Sequence, residues 1–430
     1  MKTEFHNTFK FLDWRLDNNA HCLYLSYELE NVGKVTEVLT FPAFKEQWNQ
    51  NRQDAINNTC QLLHYMCGVS YYKAGMASKI IYNKQQPSEQ MAGFLEKTWK
   101  NGLAEMAFIN NISLKDRCKF TFNEQKFHSD KLILKNQSLV AIGGGKDSLV
   151  TIEALRNQGI DICLFFVGNA KLIKDVIKAT GLSSIQVTRK IDEKLINYNK
   201  QGAFNGHIPI TAINSSIAVL TALLFDFSTI VFSNERSADS ANTINSDGES
   251  VNHQYSKSYE FERDLQKIIQ VGITSSLRYY SYLRFYSELA ILKKFSDLNQ
   301  YFNVFSSCNR NFHIDGSHNK LNHWCCDCPK CRFVFLGMAA FASQDEVVVI
   351  FGKNMLDNES QIQGFSELLG LHGIKPFECV GTIEESQLAM SLIASKPEWQ
   401  KSKLVNYFTS KIPQFSQENY DKIMITHEVS

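Results

Sequence analysis

Six consecutive residues, Gly143-Gly144-Gly145-Lys146-Asp147-Ser148, offer the clearest chemistry in the chain. The apolar run 138–142 before them reads as a buried strand, and 149–155 after them reads as a helix. A glycine-rich turn between strand and helix lets the backbone come close to a phosphate. It also aims free N–H groups and the positive end of the helix dipole at that phosphate. Lys146 adds positive charge and Ser148 a further donor. Asp147 is the unexpected member, because an acid beside a phosphate needs a reason, and holding Mg²⁺ is the usual one. The hexad is not a Walker A loop, since Lys146 is followed by Asp147 and not by Ser or Thr. Nor is it a Gly-x-Gly-x-x-Gly dinucleotide turn, since Ser148 occupies the last position. A plain glycine-rich turn is the bland alternative, but turn chemistry does not call for Lys-Asp-Ser in this register.

The hexad resembles the PP-loop, Ser-Gly-Gly-x-Asp-Ser, of ATP pyrophosphatases, with Gly143 in place of the first serine. That likeness implies ATP as co-substrate, held through its diphosphate by Gly143, Gly144, Gly145, Lys146, Asp147 and Ser148, with Mg²⁺ on Asp147. A second cluster lies downstream. Cys325, Cys328 and Cys331 are spaced by two residues each, and Cys308 precedes them. Such a run folds round one ion and a fourth thiolate completes a tetrahedron, so a structural Zn²⁺ is expected. An iron–sulfur cluster fits less well, because nothing else in the chain calls for electron transfer. The spacing is similar to the zinc site of the 7-cyano-7-deazaguanine synthase group. Cys326 is left over and His323 is a substitute ligand.

Other polar groupings are candidates for substrate contact. Tyr71, Tyr72 and Lys73, in the stretch 68–75 after a first helix, could hold a carboxylate or phosphate; a packed helix end is the alternative. Asn234, Glu235 and Arg236 follow the last clear strand of the sheet. His253 and Lys257 lie in a polar stretch and could donate to substrate oxygens or move protons. Glu378 and Cys379 read as a packed turn rather than as catalytic groups.

The elements that must position these residues follow from periodicity. Residues 8–42 alternate in period two and read as a small antiparallel sheet; 53–67 and 88–111 read as amphipathic helices. From 137 to 240 strand and helix alternate, with strands at 162–167, 185–188 and 229–232 and helices at 171–180 and 213–225. This is the rhythm of a parallel sheet covered on both faces, with ligands at the carboxyl edge of its strands. Residues 240–260 read as a mobile loop over that edge. Residues 262–300 and 332–342 read as helices, and 360–369, 384–395 and 401–411 as a helical tail. The expected class is α/β: a PP-loop (HUP-like) sheet over 136–335, preceded by a small α+β domain over 1–135 that recognises substrate, and followed by a helical region over 336–430.

At 430 residues with 44% apolar content, the chain can bury a normal core in two or three domains. Its net charge of +1 gives no bias toward nucleic acid, no run is long and apolar enough for a membrane span, and the N-terminus lacks a signal-peptide pattern. Eleven cysteines, five of them between Cys308 and Cys331, suit metal binding in a reducing cytoplasm better than a disulfide framework.

Taken in order, the stretches GVSYYKAG, IGGGKDSLV, FSNERSA, NHQYSKS, WCCDCPKC and KPFECVGTIEES make the chain similar to the UDP-N-acetylmuramoyl-L-alanyl-L-glutamate epimerase (MurL) family over nearly its whole length. The resemblance implies inversion of the terminal L-glutamate of a UDP-linked muramoyl dipeptide to D-glutamate, in peptidoglycan precursor synthesis. ATP would be consumed with Mg²⁺ through an acyl-adenylate, releasing AMP and diphosphate. Glu235, Arg236, His253 and Lys257 are then the candidates for substrate carboxylate binding and proton transfer, with Asn234 and the Tyr71–Lys73 stretch as substrate contacts. The competing readings are a PP-loop nucleobase-modifying synthase of the deazaguanine type, a tRNA-thiolating enzyme, which near-zero charge disfavours, and an ATP-sensing module without turnover.

Overall fold

The computed structural model describes residues 5–45, 47–124, 129–245, 247–308, 310, 324–373, 376 and 378–424. The alternation in the first forty residues forms β1 (Thr8–Asp17), β2 (Cys22–Leu29) and β3 (Gly33–Thr40), an antiparallel meander. Helix α1 (Gln50–Tyr72) crosses it, β4 (Lys79–Tyr82) adds a short parallel strand beside β1, and α2 (Glu89–Ile109) follows. Helix α1 is longer at both ends than its periodicity predicts. The stretch expected after it therefore begins inside it. Gly68 is where the helix meets β1: a Cβ there would come within 2.7 Å of the Phe11 ring.

Next come β5 (Lys135–Ala141), α3 (Lys146–Asn157), β6 (Ile162–Val167), α4 (Lys171–Thr180), β7 (Ser184–Lys190), α5 (Glu193–Lys200), α6 (Ile210–Phe225) and β8 (Phe227–Phe232). A hairpin of β9 (Thr243–Ile244) and β10 (Ser250–Val251) precedes α7 (Tyr259–Gly272). Where one helical stretch was expected over 262–300, the chain instead makes α7, a strand β11 (Arg278–Ser281) and α8 (Glu288–Phe295). The run Arg278-Tyr279-Tyr280-Ser281 favours a strand. Tyr279 is buried with its hydroxyl on Ser215, 2.8 Å away, and the strand pairs parallel with β8. The polar stretch expected to be a mobile loop over 240–260 contains the hairpin and a one-turn helix at Tyr255–Lys257; buried Val251 and Tyr255 anchor it. The C-terminal part is helical: α9 (Pro329–Phe341), α10 (Gln344–Phe351), α11 (Ile362–Leu368), α12 (Ile383–Ala394), α13 (Lys403–Thr409) and α14 (Gln417–Met424).

Among the described residues, nine strands form one continuous sheet in the order β11-β8-β5-β6-β7-β3-β2-β1-β4. The first five are parallel, and β3 joins the meander to them antiparallel to β7, with Leu39 opposite Arg189. Alternate residues of the central strands enter two different cores. Leu139, Phe165 and Ile230 face α1, α6 and α7; Val140, Leu164, Phe166 and Val231 face α3, α8, α9 and α12. This is the two-sided burial that near-continuous apolar strands require. No helix among the described residues is long and apolar enough to cross a membrane.

The β3–β7 joint carries a buried ion pair. Arg189 donates to Glu37 through Nε (2.6 Å) and Nη2 (3.0 Å), and Nη2 also reaches Ser70 Oγ (2.7 Å). Removing one partner strands a charge in the core. Arg189→Met should cost about 3–5 kcal/mol in urea unfolding, and the double variant Glu37→Leu/Arg189→Met should recover most of that loss.

Candidate active site

Because β5, β8 and β11 are parallel, the segments that leave their carboxyl ends gather at one edge of the sheet. The loop from β5 is the glycine-rich turn. Gly144 has φ +81°, and a Cβ on it would lie 2.7 Å from Leu172 Cδ2. A Cβ on Gly145 would lie 2.8 Å from Ser307 Oγ. By contrast, a Cβ on Gly143 would meet nothing within 4 Å, so sterics do not exclude a serine there. No side chain caps α3, which leaves its N-terminus open to an anion. Two buried hydroxyls at this edge, Ser307 and Ser233, have no hydrogen-bond partner among the described residues. An open helix start with orphaned donors beside it suits a phosphate chain.

Beneath the loop runs a chain of buried charges. Lys146 is fully buried and ion-pairs with both Asp147 and Glu288, the first residue of α8. Burial alone would push the Lys146 ammonium down, but the two carboxylates outweigh it and hold it above its ordinary value. Glu288 also faces Lys330 of α9 at 3.5 Å. Burial would raise its carboxyl, but Lys146 and Lys330 hold it near 2. Two other buried acids lie close by. Glu235 is pushed up to about 8, first by burial and then by Glu288 and Glu385; its carboxylate accepts from Ser237 Oγ at 2.8 Å. Glu385, at the start of α12, is raised to about 7 by burial, although it accepts the Leu289 N–H at 2.8 Å. One acid here is thus firmly ionised and two are biased toward the protonated form.

Lys330 also donates to the carbonyl of Cys379. The Cys379 residue is half-buried, with Lys257 Nζ 3.0 Å from its Sγ, and the His253 imidazole lies near enough to act on the thiol electrostatically. Burial would raise this thiol, but Lys257, His253 and Lys330 bring it down to about 6. The His253 Nδ1 pairs with Glu105 of α2. Burial would lower the imidazole, yet the thiol and Glu105 lift it to about 9. His207 packs on His253 with ring centroids 4.3 Å apart, and burial followed by the His253 charge holds it near 4. Glu105, His207 and His253 bring their ligand atoms within 4.8 Å of one another, and Glu105 orients the His253 ring through Nδ1. Lys257 feels Asp147 and Glu235 in addition to Cys379, which ties the thiol to the glycine loop.

The four expected knuckle cysteines do meet. Cys308, Cys325, Cys328 and Cys331 bring their sulfurs within 4.8 Å of one another, with 3.7 Å between Cys325 and Cys331 and 3.4 Å between Cys328 and Cys331. Tetrahedral Zn–S bonds of about 2.3 Å would put sulfurs about 3.8 Å apart, so the set fits one zinc ion with no open position. Cys326 turns away in a left-handed conformation (φ +53°) and points to the Phe351 carbonyl at 3.3 Å. His323 lies outside the described residues.

The remaining sequence candidates divide. His253, Lys257, Glu235 and the 143–148 loop converge. Asn234 is buried at the same edge, donating to Ser281 Oγ at 2.9 Å. Arg236 begins there but sends its side chain to the Ile423 carbonyl of α14, 3.2 Å away. Tyr71 and Tyr72 are core residues of α1; Tyr72 donates to the Ala77 carbonyl and Tyr71 accepts from the Asp192 N–H. Lys73 is buried against Asn205 and the Gly206 carbonyl, beside His207. The Lys146 ammonium lies under the loop and is already neutralised by two acids. Sequence reasoning missed Glu288, hidden inside a stretch read as helix, and also Lys330, Glu105 and His207, which carry no local signal. Cys379 was read as packing; its neighbours are instead cations.

Comparison with known proteins gives the lineage. The MurL N-terminal domain matches residues 1–282 and the MurL C-terminal domain residues 304–423. A protein of Xanthomonas oryzae pv. oryzae named UDP-N-acetyl-alpha-D-muramoyl-L-alanyl-L-glutamate epimerase is 40% identical over 407 residues, 94% of this chain and 90% of its own. Proteins of the same name from Micromonospora sp. and Salinispora tropica are 40% and 38% identical, each over 89% of this chain and over 85% and 83% of their own. The chain belongs to the MurL epimerase family. As an epimerase it is an isomerase.

Two measurements check this site. Elemental analysis should find about one zinc per chain, and Cys328→Ser should lower both that content and the melting temperature. Alkylation of Cys379 by iodoacetamide, followed by peptide mass spectrometry, should be half-maximal near pH 6. Lys257→Met removes the strongest cation acting on the thiol, so the midpoint should move upward.

Proposed function

We propose that this chain epimerises the terminal L-glutamate of UDP-N-acetylmuramoyl-L-Ala-L-Glu to D-glutamate, using ATP and Mg²⁺ through an acyl-adenylate, in the cytoplasm. The substrate comes from the names of the relatives. The adenylation step is supported by one observation above all: an uncapped helix start with orphaned Ser233 and Ser307 hydroxyls, adjoining a cluster of proton-carrying side chains.

The chemistry explains why ATP is useful to an epimerase. The α-proton beside a carboxylate is very weakly acidic, because its removal puts a second negative charge next to the first. Joining AMP to the carboxylate removes the first charge and makes the carbonyl a better electron sink. Each pKa unit gained is worth about 1.4 kcal/mol. In this reading the 143–148 backbone and the serine hydroxyls hold the diphosphate. Lys146, paired with Asp147, fixes the carboxylate that would hold Mg²⁺. The α-carboxyl is the group activated, since it adjoins the stereocentre. Water then cleaves the mixed anhydride and frees the product.

Exchange of labelled pyrophosphate into ATP, in the presence and absence of the muramoyl dipeptide, tests this reading. Exchange should depend on the dipeptide, and Asp147→Ala should reduce it about 100-fold or more. Dipeptide-independent turnover, or a fully active Asp147→Ala, would overturn it.

A further inference from the structure

The known family activity leaves open which atom takes the α-proton, and the site offers few choices. Glu288 is held as a carboxylate by two lysines on opposite sides, so its lone pairs are already engaged. Glu235 and Glu385 have their oxygens engaged by the protein itself: Glu235 accepts from the Ser237 N–H and Oγ, and Glu385 accepts from the Leu289 N–H at 2.8 Å. Lys257 and His253 are cations, and a cation cannot accept a further proton. His207 is neutral but weakly basic.

Cys379 stands apart from all of these. Its sulfur is approached by Lys257 Nζ at 3.0 Å and by the His253 imidazole, which Glu105 grips from its far side. Its backbone is fixed by Lys330, next to the cysteine knuckle. Three other segments therefore gather at the turn that carries the thiol: the residues after the hairpin through Lys257 and His253, α2 through Glu105 on His253, and the start of α9 through Lys330 on the Cys379 carbonyl. A merely packed cysteine would be served better by apolar neighbours, because bringing several charges together away from water is costly. The residue itself is not fully enclosed, since Cys379 keeps part of its surface exposed. Lys257, in contact with it, interacts with Asp147 of the glycine loop.

We propose that the Cys379 thiolate, oriented by His253 and Lys257, is the base that removes the α-proton of the activated glutamyl residue. The inference rests on the adenylation reading, which supplies the activated carboxyl. The α C–H bond breaks and an S–H bond forms. The electron pair of the C–H bond moves into the carbonyl of the mixed anhydride, giving an enolate. Carbon is reprotonated on its other face by an acid that exchanges with water, so the product α-hydrogen is derived from solvent. No net oxidation occurs, and AMP leaves only in the later hydrolysis. His253 and Glu105 act as positioning residues: they hold the cation that keeps the sulfur ionised.

The test separates activation from proton transfer. Full-length wild type, Cys379→Ala and Cys379→Ser are given ATP, Mg²⁺ and the muramoyl dipeptide in D₂O. Dipeptide-dependent pyrophosphate exchange reports activation. Deuterium at the glutamate α-carbon and D-glutamate formation report proton transfer. Both variants should keep exchange within about 3-fold of wild type and lose deuterium wash-in by about 100-fold or more. As a second measurement, wild type alkylated at Cys379 should lose wash-in and keep exchange. Wash-in within 10-fold of wild type in Cys379→Ala overturns the assignment, and so does parallel loss of exchange and wash-in, which is what a structural role would give. Absence of dipeptide-dependent exchange in wild type sinks the adenylation reading itself, and is read without any variant.

Discussion

The buried chain Asp147–Lys146–Glu288–Lys330 is the constraint on which the site depends. It joins the loop after β5 to the start of α8 and the start of α9, three segments far apart in sequence. Lys146, Glu288 and Lys330 have left water and are compensated by their neighbours, while Asp147 keeps part of its carboxylate in solvent. The inner members matter most: loss of Glu288 would leave Lys146 buried with Asp147 alone, and loss of Lys146 would leave Glu288 buried with Lys330 alone. These pairs tether the loop after β5 to the start of α8. The chain of charges also transmits position: α9 is aimed by the cysteine knuckle at its N-terminus, and Lys330 in that first turn fixes the Cys379 carbonyl.

The sheet provides the frame for this chain of charges. Its central strands present alternate side chains to two separate cores, and both cores must form for the carboxyl edge to be in register. The antiparallel meander is hydrogen-bonded to the parallel strands through β3 and β7, with the Glu37–Arg189 pair at the seam. Helix α2, which follows the meander, carries Glu105 across to His253. The N-terminal third of the chain thus contributes directly to the polar cluster, while α9 and α12 of the C-terminal part close it from the other side.

Charge in the cluster is graded. Glu288 is ionised, Glu235 and Glu385 lean toward the protonated form, and the Cys379 sulfur is held as an anion between cations. Side chains of similar intrinsic acidity are driven apart by burial and by which partner each meets. Separation of this kind lets one site both hold and deliver protons near neutral pH.

The glycine hexad, the period-two strands and the two-residue cysteine spacing were legible in the chain because each is a local pattern: a turn, a pleat, a single ion's coordination sphere. Those patterns were enough for the α/β class, the loop at the carboxyl edge and the four sulfurs that meet. The aromatic run at 278–281 was not legible, because its strand character depends on pairing with β8, and misreading it concealed Glu288 at the next helix start. Glu105, His207, Lys330 and Cys379 lie on four segments up to 274 positions apart. No spacing rule links them; only the folded sheet and its flanking helices bring them together. Tyr71 and Tyr72 show the converse, since their residue types suggested a binding surface and the extra turn of α1 buried them. Local sequence determined which chemistry was on offer, and tertiary packing decided which of those side chains face one another and in what state of charge.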